Sequence, residues 1–125
     1  MILGIGVDIV RTARFAEILA RTPHRIGRLQ RRVLHPKEIA AIKGGPDGVV
    51  RKLASSWAAK EALYKSLTPA QQKQCQFNKW KRVFTARGQE MQSDLAEFAD
   101  QEVLVSVSHD GDYTIAYALR QQRAV

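Results

Sequence analysis

The sequence predicts an α+β fold, on three observations. The chain opens with a strand-like apolar run, its longest helical pattern lies mid-chain, and its C-terminal third carries a hairpin signal. Residues 2–10 read as a buried strand, with Leu3, Ile5, Val7 and Ile9 on one face and Gly4, Gly6 and Asp8 on the other. Thr12 is placed to cap a helix whose apolar stripe holds Ala13, Phe15, Ala16, Ile18 and Leu19, closed by Pro23. A short basic helical segment follows over 25–33. Pro36 suits a first helical position, and Glu38, Ile39 and Ile42 carry a helix to a stop at Gly44-Gly45, with 44–48 read as a loop. The longest helix spans about 50–67 and ends at Thr68-Pro69. Residues 70–79 are polar and glutamine-rich and read as a loop with helical turns. Residues 80–85 read as a strand with a turn at Arg87-Gly88-Gln89, and Ser93 is placed to cap a short helix through Ala99. Two β-rich runs, 102–108 and 113–119, flank a turn at His109-Asp110-Gly111-Asp112, where the Asp-Gly pair marks a hairpin. The architecture implied is helices packed on a mainly antiparallel sheet.

At 125 residues the chain fits a single domain, residues 1–125, able to bury roughly two-thirds of its unfolded surface. Hydrophobic residues at 45% and charged residues at 26% match globular averages and argue against disorder. One cysteine, Cys75, excludes an internal disulfide and a four-thiolate zinc site, and suits a reducing compartment. No apolar run approaches the roughly 20 residues of a membrane helix, and the opening run reads as a strand rather than a signal peptide. The net charge is +8, and residues 11–43 hold nine basic side chains against two acids, so nearly all of it is concentrated there. A one-sided basic patch suits solubility, or an acidic partner such as nucleic acid, a membrane surface or an acidic protein.

Three features carry possible chemistry. Asp8 is a carboxylate in an apolar strand, where lacking a partner is costly. Its glycine neighbours leave room for a ligand or for a crossing helix, with Asp8 then capping a turn. In Trp57-Ala-Ala-Lys-Glu-Ala-Leu-Tyr-Lys65, the spacing puts Trp57, Glu61 and Lys65 on one helix face. Glu61 and Lys65 read as a surface pair worth about 0.3–0.5 kcal/mol or, beside the apolar Trp57, Ala58 and Ala62, as a partly desolvated pair with a task. His109 ends a strand after Ser106-Val-Ser, either as a solvated turn residue or as a group beside a phosphate. His24 reads as a loop residue, His35 as a capping residue ahead of Pro36, and Cys75 has no role. The chain lacks a phosphate-binding G-x-x-x-x-G-K-[ST] loop, a G-x-S-x-G elbow and a His-Glu-x-x-His zinc motif.

Together, Gly4-Ile-Gly-Val-Asp8, Trp57-Ala-Ala-Lys-Glu-Ala62 with Lys65, and Ser106-Val-Ser-His109 resemble one family across the whole chain: the 4′-phosphopantetheinyl transferases of the holo-acyl-carrier-protein synthase type. The resemblance implies magnesium-dependent transfer of phosphopantetheine from coenzyme A to a serine of an apo acyl carrier protein, releasing 3′,5′-ADP, in support of fatty acid biosynthesis. It makes Asp8 and Glu61 the magnesium ligands, with water and coenzyme A phosphate oxygens completing the shell. Lys65 would meet the leaving phosphate, and Lys60, Lys65 and His109 would bind coenzyme A. Asp8, Glu61 and Lys65 form the catalytic set, with Glu61 or a water it holds as base for the carrier serine. Arg14 matches a basic position that docks the acidic carrier, with Arg21, Arg25 and Arg28 in the same stretch.

The family also implies a homotrimer with active sites at subunit interfaces, since its longer members hold two such units and this chain holds one. Two departures stand out. After Lys65 the chain reads Ser66-Leu-Thr-Pro-Ala-Gln-Gln, without the usual glycine loop, and only Gly88 remains of a Gly-Lys-Pro turn. Contacts from 66–79 are therefore not carried over. The expected compartment is a bacterial cytoplasm, or the mitochondrial matrix for a fungal member. The reading leaves no nucleic-acid or membrane partner. The competing reading is a nucleic-acid-binding module using the 11–43 patch, which holds one aromatic, Phe15, for stacking bases.

Overall fold

The structure, a computed structural model, describes residues 1–124. Its elements are β1 (Ile2–Arg11), α1 (Ala13–Arg21), α2 (Pro23–Val33), α3 (Pro36–Ala40), α4 (Gly45–Ser66), α5 (Pro69–Gln74), β2 (Trp80–Thr85), β3 (Gly88–Ser93), β4 (Gln101–Asp110) and β5 (Tyr113–Gln122). Single 3-10 turns stand at Phe77–Lys79 and Ala96–Phe98. The five strands form one antiparallel sheet in the order β1-β5-β4-β3-β2. The α+β reading therefore holds.

The long helix α4 lies across β1 and β5 and closes the core on one face of the sheet. Beside the buried Leu53 and Leu63 it carries a run of small buried residues, Ala54, Ala58 and Ala62, and Ala116 and Ala118 are buried on β5. Small facing residues let the backbones approach closely, and β1 takes this furthest. A Cβ on Gly4 would overlap the Ser66 carbonyl oxygen, and one on Gly6 would overlap that of Ala62. The two glycines therefore admit a crossing helix and bring α4 against Asp8.

The expectation of a buried strand holds for only one face of β1. The glycine face lies under α4, but Ile5 and Ile9 are each 60% exposed and Val7 is 40% exposed on the opposite face. Tyr113, Ile115 and Tyr117 of the neighbouring β5 are exposed too. Strand alternation puts these large side chains on the face that no helix among the described residues covers.

Several boundaries also move. Residues 44–48 are not a loop: Gly44 takes a left-handed φ of 90°, and α4 starts at Gly45, where Pro46 suits the first turn. Within 70–79 a defined helix, α5, is closed by a capping box between Thr68 and Gln71. The turn expected at 87–89 sits one residue earlier, at Ala86-Arg87, and Gly88 opens β3, a mainly polar strand that β2 and β4 pair with on either side. The helix expected after Ser93 shrinks to one 3-10 turn, the Ser93 hydroxyl accepting from the Leu95 N–H. Thr12 precedes α1 without a side-chain cap and bonds Thr114 instead, Oγ1 to Oγ1 at 2.8 Å. His24 lies in α2 rather than in a loop. The C-terminal hairpin tightens to two residues, Gly111-Asp112, leaving His109 inside β4.

Candidate active site

Asp8, Glu61 and Lys65 meet where β1 passes under α4. The Lys65 ammonium donates to Asp8 Oδ1 and to the Val7 carbonyl, both at 3.0 Å. Asp8 is mostly buried and Lys65 half exposed. Glu61 stands one helical turn before Lys65 on the same face. Its carboxyl is pushed above the usual value, first by burial and then by the negative charge of Asp8, against the opposing charges of Lys65 and Arg14. The cluster thus holds two mutually repelling carboxylates and one cation, open to solvent along one edge.

Among the described residues, no three metal-ligating side chains converge. A hard cation here would take Asp8 and Glu61 and complete its shell with water and substrate oxygens, the arrangement magnesium favours. The donor set fits, because Asp8 and the Val7 carbonyl already hold a cation, the Lys65 ammonium.

The structure does not bring His109 to this cluster within one chain. Its Nδ1 lies 2.9 Å from Thr114 Oγ1, on an open cleft of about 600 Å³. Lys43, Arg51, Lys52 and Ser55 line the same cleft, whose walls include none of Asp8, Glu61 and Lys65. Arg51 and Lys52, at the start of α4, are basic residues that sequence reasoning missed. Their signal was present as a basic pair on the first turns of the longest helix.

Lys60 corrects an expectation. Its side chain is 0% exposed, and its ammonium donates to Glu38 Oε1 at 2.6 Å and to the carbonyls of Val33, Phe77 and Trp80 at 2.7, 3.0 and 2.7 Å. It is an internal strut and offers nothing to a phosphate, because α2, α3, the Phe77–Lys79 turn and the start of β2 enclose it. His35 caps α3 as expected, its backbone N–H donating to Glu38 Oε1 and its Nδ1 accepting from the Lys37 N–H. Burial, then the charge of Glu61, pushes the Cys75 thiol up to about 11, so it is a poor nucleophile and keeps no role.

The arginines of the basic stretch lie on α1 and α2. Arg14, Arg21 and Arg25 edge one shallow depression with Ile18 in it, and Arg25, Arg28 and Arg32 edge a second over Ile18 and Leu29. Arg11 pairs at the surface with the chain's own acids, Glu17 at 2.9 Å and Asp112 at 3.6 Å.

The family model of the 4′-phosphopantetheinyl transferase superfamily matches residues 4–118. The chain is 32% identical over 139 aligned positions to the mitochondrial holo-[acyl-carrier-protein] synthase of Eremothecium gossypii, covering 93% of this chain and 77% of that one. It is 31% identical over 133 positions to the holo-[acyl-carrier-protein] synthase of Hydrogenovibrio crunogenus, covering 99% and 100%. The crystal structure of holo-[acyl-carrier-protein] synthase from Neisseria meningitidis matches with a TM-score of 0.73 at 27% identity, over 98% of this chain and 100% of that one. The ACPS-CoA complex of Chronobacterium ammoniagenes matches with a TM-score of 0.70 at 27% identity, over 97% and 98%.

Proposed function

This chain belongs to the 4′-phosphopantetheinyl transferase superfamily as an enzyme of the holo-[acyl-carrier-protein] synthase type, and on that premise we propose how its residues carry the transfer. Coenzyme A donates the 4′-phosphopantetheine group to a serine of an apo acyl carrier protein, and 3′,5′-ADP leaves. The observation that carries the assignment is the meeting of Asp8, Glu61 and Lys65 on one edge of α4. The serine oxygen attacks the pantetheine-side phosphorus, and the bond to the 3′,5′-ADP oxygen breaks. Glu61, or a water it holds, takes the serine proton. Lys65 leaves Asp8 to meet the charge that builds on the departing phosphate. Asp8 and Glu61 would hold magnesium, whose chemistry is to neutralise the diphosphate during in-line displacement.

His109, with Lys43, Arg51 and Lys52 around its cleft, takes the phosphates at the nucleotide end. A cleft walled off from Asp8 and Glu61 supports a site shared between copies, the cleft of one facing the carboxylates of the next. The uncovered apolar face of β1 and β5 supplies a surface for that contact, in a closed homotrimer. Arg14, Arg21, Arg25 and Arg28 dock the acidic carrier, and complementary charge raises the encounter rate. The product supports fatty acid synthesis, in the mitochondrial matrix for a fungal source or the cytoplasm for a bacterial one. A nucleic-acid module would use the same basic stretch but leaves Asp8, Glu61 and His109 without a task.

The test is the apo-to-holo mass shift of a carrier protein incubated with this enzyme, coenzyme A and magnesium. The shift is expected with the parent chain, and Asp8→Ala or Glu61→Ala should abolish it while leaving the fold intact. Full activity in either variant would remove the site assignment.

A further inference from the structure

Trp57 stands one helical turn before Glu61 on α4, and its indole is wedged between two rings. Phe15 lies 6.2 Å away, tilted by 57°, and Phe77 lies 6.1 Å away, edge-on at 81°. Both partners are anchored. Phe15 is buried at 2% exposure. The carbonyl of Phe77 accepts from the enclosed Lys60 ammonium at 3.0 Å. Onto this fixed indole folds an exposed side chain, Arg14, its guanidinium carbon 5.7 Å from the ring centroid.

Arg14 is an arginine of the basic stretch whose charge acts on Glu61. Among the described residues no carboxylate forms an ion pair with it, in contrast to Arg11 with Glu17. What orients Arg14 is therefore a ring, which uses its π face and leaves the N–H donors free. A planar, weakly hydrated guanidinium suits that contact better than a compact, strongly hydrated lysine ammonium. An arginine held this way loses less rotamer freedom when a carboxylate arrives.

We propose that Trp57 is a positioning residue for carrier recognition: its indole holds the Arg14 guanidinium at the edge of the catalytic cluster, ready for a carboxylate of the acidic carrier. The proposal rests on the docking role given to Arg14 above. It ties the two halves of the reaction together, since one helix face then carries the support for docking and, one turn later, Glu61.

The experiment is steady-state kinetics with the apo carrier and coenzyme A varied separately. Arg14→Lys keeps the charge on an exposed side chain and exchanges the planar stack for a weaker ammonium contact. It should raise KM for the carrier about two- to fivefold, the worth of an exposed cation–π contact, with KM for coenzyme A and kcat unchanged. Trp57→Leu should do the same, and Trp57→Phe, which keeps a ring, should recover most of the loss. If Arg14→Lys matches the parent while Arg14→Ala raises the carrier KM, charge alone suffices and the proposal is overturned with the docking role intact. If Arg14→Ala also matches the parent, the docking role itself falls. A Trp57→Leu effect confined to kcat or to the coenzyme A KM would likewise overturn it.

Discussion

The Lys60 ammonium and the Glu38 carboxylate lie 2.6 Å apart in the interior, 0% and 4% exposed. Burial draws Lys60 down to about 8 despite the neighbouring carboxylate. Burial alone would raise Glu38, but the Lys60 charge and hydrogen bonds from Lys60 and from the His35 and Arg82 N–H groups outweigh it and hold it below its usual value. Three carbonyls and a carboxylate from four separate segments converge on one nitrogen beside the catalytic face of α4.

Removing one member of such a pair strands the other. Lys60→Met should therefore cost about 3–5 kcal/mol of stability, measured by urea unfolding. The double variant Lys60→Met/Glu38→Leu should recover part of that loss. A Lys60→Met protein as stable as the parent, with a raised KM for coenzyme A, would return Lys60 to the substrate and remove the strut.

Glu38 also sets an acid limb of stability. A carboxyl held lower in the folded chain than its ordinary 4.5 binds fewer protons folded than unfolded in that window. The stabilisation is present above 4.5 and lost as pH falls through the lower folded value. Unfolding midpoints should drop on acidification below 4.5 in the parent. They should show a shallower slope in Glu38→Gln, compared at equal starting stability. An unchanged slope would count against it.

Glu61 shifts the other way. In the metal-free protein its carboxyl should titrate above 4.5, as read by side-chain carboxyl NMR. Asp8→Asn removes the second cause and should move the value down, though not fully, because burial is the larger one. No movement on Asp8→Asn would mean that the two carboxylates do not share a site.

The approach of α4 to β1 is testable at glycine. Gly6→Ala forces a Cβ against the Ala62 carbonyl and toward Lys65 Cβ. It should cost about 1–3 kcal/mol and lower the transfer rate by moving Lys65 off Asp8. Gly27→Ala is the contrast: it sits inside α2 with only the flexible tip of Arg31 within 3.4 Å. It should gain about 0.5–1 kcal/mol with transfer unchanged. Thermal melts and the mass-shift assay read both.

The open apolar face gives the last prediction. Val7→Asp should leave the single chain folded, since Val7 is 40% exposed. It should break self-association, seen as a fall from trimer to single-chain mass in sedimentation, with loss of transfer. A parent protein that sediments as a single chain, or a Val7→Asp trimer, would discard this face as the interface.

That Asp8 is an odd carboxylate in an apolar strand and that Glu61 and Lys65 share a helix face was legible because those signals are local, while the roles given to them rest on the family resemblance. A carboxylate on the same strand face as two preceding glycines and a four-residue spacing on a helix need only the strand and helix periods to be read. The same holds for the His35 cap and the Asp-Gly hairpin, though strand boundaries shifted and β3, polar apart from the buried Met91, was legible only through its pairing partners. Lys60 was not legible. The helical period places it away from Glu61 but says nothing of what covers that side, and its partners Val33, Phe77 and Trp80 come from 27, 17 and 20 residues away. Nor does the alternation in β1 say which of its faces α4 will choose. Local periodicity, a property of the backbone, determined which residues share a face. Only packing between distant segments decided that Lys60 is sealed inside, that Ile5, Val7 and Ile9 face outward, and that His109 stands apart from Asp8, because burial depends on what arrives from elsewhere in the chain.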